Sequence, residues 1–123
     1  PEASYGHALE HFLMAPAWAT ASMGNDPART CEIAEKNRDL RPNGEAQTRL
    51  AQAYVKAGRV RDALATITLV TTSKWRSAES FATAAISRRL AGDDEKARAM
   101  EQAAITINPH AMSEIDWLAP GRS

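Results

Sequence analysis

The chain is short of cysteine, aromatic residues, net charge and long apolar runs, and each shortage narrows what it is. Cys31 is the single cysteine in 123 residues, so neither an internal disulfide framework nor a cysteine metal cluster is expected. One free thiol favours a reducing compartment such as the cytoplasm and is also compatible with the periplasm. No apolar stretch approaches the roughly 20 residues that cross a bilayer, so no membrane partner is expected. A formal net charge of zero removes the usual electrostatic ground for nucleic acid. Phe12, Phe81, Tyr5, Tyr54, Trp18, Trp75 and Trp117 are the only aromatics, whereas alanine is abundant. That balance favours closely packed helices over a β-sandwich. There is no glycine-rich phosphate loop and no Ser/His/Asp arrangement, so no enzyme activity and no cofactor is expected.

What remains is a soluble domain of ordinary composition, 44% apolar and 24% charged. It opens at Pro1 and is expected to be a processed or excised piece of a longer protein. Its charge is unevenly spread. Residues 1–47 carry four basic and seven acidic side chains, residues 48–89 eight and two, and residues 90–123 three and six. A basic band of net +6 therefore lies between acidic ends of net −3 each.

Start and stop signals are of helical type. Asp26 before Pro27 is a good N-cap with proline at the first helical position; Asn43, Ser77 and Asp93 cap later segments. Gly58 and Gly92 suit the left-handed residue that ends a helix, and Pro109 stops the chain again. Helices are predicted near 27–40, 44–57, 60–72, 77–91 and 94–107, with connections of two to five residues that make neighbours antiparallel. "TITLVTT" at 66–72 is β-branched, but Ala63, Ile67 and Val70 continue a helical stripe through it. A further helix is expected near 4–14, a break at Pro16, and a last short helix over 113–118 with a Ser113–Asp116 capping box. Ala51, Ala53, Ala63, Ala65, Ala85, Ala97 and Ala104 are expected where helices meet, with Leu50, Tyr54, Ile67, Phe81, Leu90 and Ile105 filling between pairs.

"AYVKAGRVRDALATI" at 53–67 is echoed by "ISRRLAGDDEKARAM" at 86–100. Gly58 and Gly92, Ala57 and Ala91, and Ala63 and Ala97 are each 34 residues apart. The run Leu50 to Leu64 resembles the tetratricopeptide repeat, with Leu50, Ala51, Tyr54, Gly58 and Ala63 in place. The second copy keeps Ala85, Gly92, Ala97, Ala104 and Pro109 and has Arg88 where the tyrosine would stand. The resemblance implies an all-α, right-handed stack of antiparallel helical hairpins, about three repeats in one domain. Residues 1–43 would be a degenerate first repeat, 44–76 the second, 77–109 the third, and 110–123 a capping helix and tail. It also implies a protein–protein interaction module whose first helices line a concave groove for a peptide or partner helix. The groove-facing candidates are then Glu45, Thr48, Arg49, Gln52 and Lys56, followed by Glu79, Ala82, Thr83, Ile86 and Arg89. Of these, Arg49, Gln52, Lys56, Glu79, Ile86 and Arg89 are the predicted partner-binding residues. The asparagines of the family's carboxylate-clamping members are missing, but arginine forks and the basic band favour an acidic partner.

Two other readings stand beside this one. The chain could serve as a structural spacer or oligomerisation module, forming a homo-oligomer through its ends or convex face. "HALEH" at 7–11 also matches the H-x-x-E-H zinc-peptidase pattern, with His7 and His11 as ligands and Glu10 as base. It lacks a third ligand and the mixed-sheet scaffold, so two ordinary surface histidines are the preferred reading and no metal is expected. Cys31 is read as an inert thiol, Trp75 as packing between repeats, Trp18 and Trp117 as end-cap core, and Arg59 and Arg61 as solvated. Arg88 and Arg89 are read as solvated charge first and as a binding hot spot second.

Overall fold

The computed structural model describes residues 26–119. It is built of helices packed against one another, with no strand among the described residues. The helices are α1 (Pro27–Leu40), α2 (Gly44–Lys56), α3 (Val60–Thr71), α4 (Ala78–Leu90), α5 (Asp94–Ile107) and α6 (Ala111–Glu114). A 3-10 turn, Asp116–Leu118, follows. The expected helix near 4–14, the break at Pro16 and Trp18 all lie outside the described residues.

Four of the five long helices begin on the caps read from the sequence. Asp26 accepts from the Arg29 amide at 3.1 Å and Asn43 from Ala46 at 2.8 Å. Ser77 accepts from Ser80 at 3.0 Å and Asp93 from Lys96 at 3.2 Å. Each such bond satisfies an amide that the helix itself leaves unpaired and is worth about 1 kcal/mol. α3 has no side-chain cap and runs through "TITLVT", because Ala63, Thr66, Ile67 and Val70 bury one stripe of it. That burial outweighs the β-branched propensity.

The 34-residue step reappears in the element boundaries. α2 and α4 start at Gly44 and Ala78, and α3 and α5 at Val60 and Asp94. The joints match bond for bond. The Gly58 amide donates to Val55 O at 3.0 Å and the Arg59 amide to Tyr54 O at 2.8 Å. Gly92 donates to Arg89 O at 3.1 Å and Asp93 to Arg88 O at 2.9 Å. This is the paired closure of a Schellman motif, which needs a left-handed residue after the C-cap. Gly58 has φ 77° and Gly92 φ 86°.

Consecutive helices from α1 to α5 lie side by side, and α2 also touches α4 across the α3 connection. Ala51, Ala53, Ala63, Ala82, Ala85, Ala97 and Ala104 have no accessible surface, so backbones meet where only a methyl group intervenes. Ala65 and Leu90, expected in contacts, are exposed. Ala65 falls off the buried stripe of α3, and Leu90 lies beyond the stretch of α4 that its neighbours cover. The connection between α3 and α4 spans residues 72–77, longer than expected, and Trp75 in it lies against Gly44 at the start of α2. Trp75, read from the sequence as packing between repeats, instead lies against the start of its own 44–76 stretch and is 42% exposed.

The C-terminal helix expected over 113–118 is in fact two pieces. α6 starts at Ala111 and the chain breaks at Ile115 before the 3-10 turn. No capping box forms, because Ser113 Oγ donates to His110 O instead. The break turns Ala111, Ile115 and Leu118 inward together, and all three are buried. α6 packs on α4 and α5, and the turn reaches back to α2.

Replacing Gly58 or Gly92 by alanine meets no atom within 4 Å, so the cost is left-handed strain alone. Each of Gly58→Ala and Gly92→Ala is expected to lower stability by about 1–2 kcal/mol in urea unfolding without changing the circular dichroism spectrum.

Candidate functional site

Arg49, Gln52 and Lys56 recur at three and four residues along α2, which places them on one helix face. Glu79, Thr83 and Ile86 do the same along α4. The two helices meet through Gln52, whose Nε2 donates to Glu79 Oε2 at 2.8 Å and to Thr83 Oγ1 at 3.1 Å. Gln52 has no accessible surface; it is a seam residue between α2 and α4. Its Oε1 and the nearby Arg49 Nε are both buried without a hydrogen-bond partner. Such orphans are uncommon in folded proteins and cost free energy where they occur.

The three predicted cations have different surroundings. Arg49 pairs with Glu45 on its own helix at 3.0 Å. Arg89 turns to Glu101 of α5, also at 3.0 Å, and so is drawn toward α5. Lys56 Nζ donates to the main-chain carbonyl of Trp117 at 3.3 Å, across 61 residues of sequence. Ile86 is buried in the same apolar cluster as Ile115 and Leu118. The structure therefore brings Arg49, Gln52 and Glu79 together at one end and Lys56 and Ile86 at the other. Glu79 is exposed, whereas Gln52 and Ile86 are covered and offer no open surface.

Sequence reasoning missed a second polar cluster. Tyr54 Oη donates to Glu35 Oε2 of α1 at 2.7 Å, and the Arg59 guanidinium lies 4.5 Å from the Tyr54 ring centroid. Arg59, which follows the left-handed glycine, thereby packs on the residue its own amide bonds to. Arg59 also holds Asp62 at 2.8 Å. Burial, followed by the bond to Glu35, pushes the Tyr54 phenol up to about 12. Burial likewise pushes the Cys31 thiol up, which keeps it protonated at neutral pH and a poor nucleophile. An acid at position 35, nineteen residues before Tyr54, gives no local signal, since the pairing depends on how α1 lies on α2.

Among the described residues no three His, Cys, Asp or Glu side chains are placed to hold a metal ion. His7, Glu10 and His11 lie outside the described residues. No helix of the described residues is long and apolar enough to cross a membrane. Compared with known proteins, the chain matches no family model, no curated protein and no solved structure.

The Tyr54 shift fixes a sign. A phenol raised from about 10 in the unfolded chain to about 12 in the fold stabilises fully below pH 10, and that stability is lost as pH rises through 12. Wild type is therefore expected to lose on the order of 2–3 kcal/mol more than Tyr54→Phe between pH 9 and 12, measured by urea unfolding at each pH. Phenolate absorbance should show the high-pH step vanish in the same variant.

Proposed function

We infer that the chain is a protein-interaction module of tetratricopeptide-repeat type that holds a peptide or partner helix, an acidic one, on the face shared by α2 and α4. It carries out no reaction of its own. The observation that carries this reading is the bond from Lys56 to a main-chain carbonyl of a 3-10 turn: this face holds a distant stretch of polypeptide by its backbone. The 34-residue recurrence of caps and joints supports the repeat assignment. Arg49 and Arg89 add charge that is only lightly held. Their pairs with Glu45 and Glu101 are partly exposed, and such pairs contribute about 0–1 kcal/mol, so a carboxylate ligand can displace them.

A second reading, self-assembly as a spacer, rests on a different observation. Leu40, Leu69 and Ile107 are 66%, 63% and 48% exposed, one on each of α1, α3 and α5. Burying such side chains between copies would stabilise an oligomer.

The two readings separate in solution. Against a panel of acidic and neutral peptides, fluorescence anisotropy is expected to show binding to acidic sequences. Reversing Arg49, Lys56 and Arg89 together to Glu should weaken it by at least about tenfold, with the thermal melt still cooperative. Equal binding by both proteins would move the contacts off this face. Light scattering that found a stable dimer, dissolved by Leu69→Glu, would instead favour the spacer.

A further inference from the structure

We propose that residues 111–119 are a displaceable internal ligand, covering the Lys56 end of the α2–α4 face until a partner segment of the same chemistry takes its place. This deepens the peptide-binding reading above and rests on it.

The segment has the properties of a bound peptide. Its two helical pieces are four and three residues long, far short of the roughly 12–15 residues that an isolated helix needs. Its shape is therefore imposed by the surface it lies on. It crosses from α4 and α5 to α2, two long helices back in the chain. It presents Ala111, Ile115 and Leu118 at steps of four and three, which join the apolar cluster that holds Val55 and Ile86. Lys56 then takes the carbonyl just before Leu118. Its outward residues include Glu114 and Asp116 and it has no basic side chain, whereas α2 and α4, on which it packs, belong to the basic band.

The same features define the partner: a short helix with small or aliphatic residues at i, i+4 and i+7, acidic between them, and a carbonyl or terminal carboxylate oxygen for Lys56. The segment is held by the packing of Ala111, Ile115 and Leu118, with Met112 and Trp117 beside them, by the Lys56 bond, and by Asn108 Nδ2 donating to Glu114 Oε1 at 3.1 Å. Burying Ile115 and Leu118 offsets only part of the entropy lost in ordering nine residues, which is what makes displacement feasible. Tethering supplies the remainder, by holding the segment at an effective concentration of about millimolar.

The test uses the full chain and a labelled synthetic peptide of residues 109–119. Hydrogen exchange on the wild type comes first. The amides of Leu118 and Ala119, whose bonds stay within the segment, are expected to be at least about tenfold less protected than those of Ala91 and Asp93 at the α4 joint. The peptide is then expected to bind the Ile115→Asp, Leu118→Asp double variant at least about tenfold more tightly than wild type, and Lys56→Ala should reverse that gain. Exchange of the segment only through global unfolding, or equal peptide affinity for a folded double variant and wild type, would overturn the proposal. If the double variant does not fold, the wild-type exchange result alone decides. Acidic peptides that bind while the segment stays closed would leave the peptide-binding reading standing and this one refuted. A segment that opens in a chain that binds no acidic peptide would refute the peptide-binding reading and, with it, the role of the segment as a stand-in ligand.

Discussion

The structure depends on one helix being covered from every side. Residues 80–87 of α4 are all buried, and α2, α3, α5 and α6 each lie against it. A helix so placed has no solvated face on which to put polar groups, so each hydroxyl must be satisfied internally. Ser80, Thr83 and Ser87 achieve this by donating to carbonyls three or four residues back, at 2.7–2.9 Å. The remaining positions are alanine, Phe81 and Ile86, small enough between the two large ones for four neighbours to approach. A larger residue at Ala82 or Ala85 would separate several helices at once, since no direction of relaxation is open.

Around that helix the electrostatics are modest, and this shapes what the face can do. Long-range polar links between the described helices include Gln52 to Glu79 and Thr83, Tyr54 to Glu35, Arg89 to Glu101, and Lys56 to a backbone oxygen. Only the first joins two side chains of α2 and α4, and it leaves a buried amide oxygen unpaired. The surface of α2 and α4 is therefore held in place mainly by packing, and its charged groups are free to be re-paired without unfolding the chain.

Much of the helical layout is legible in the sequence because it is written in local chemistry. Asp26, Asn43, Ser77 and Asp93 are short acceptors beside orphan amides, and Gly58 and Gly92 are the residues that tolerate a positive φ; both signals act within a few residues. What the sequence alone does not show depends on distance along the chain. The spacing of Gln52 and Ile86 gives their places on α2 and α4, but which segment lies over Ile86 is decided about 30 residues later by Ile115 and Leu118. Ser113 has the spacing of a capping box, yet its hydroxyl finds a nearer carbonyl at His110. Leu90 has the right chemistry for a contact and sits past the end of its neighbours. Spacing reports which way a side chain points, not whether anything meets it.

The indole of Trp75 against Gly44 has a mechanical meaning. α2 and α3 are joined at one end by the left-handed turn at Gly58, and the far end of that pair is bridged by Trp75, which stands where a side chain on residue 44 would be. The pair is thus clasped at both ends, once through the backbone and once through a ring. Such a pair resists splaying like a hinge with a latch: force that opens the far end must first lift an aromatic ring off a glycine. Because the ring is part-exposed, that latch stands at the protein surface, where a change in α2–α3 alignment would be felt by the surrounding water before it reached the buried helix.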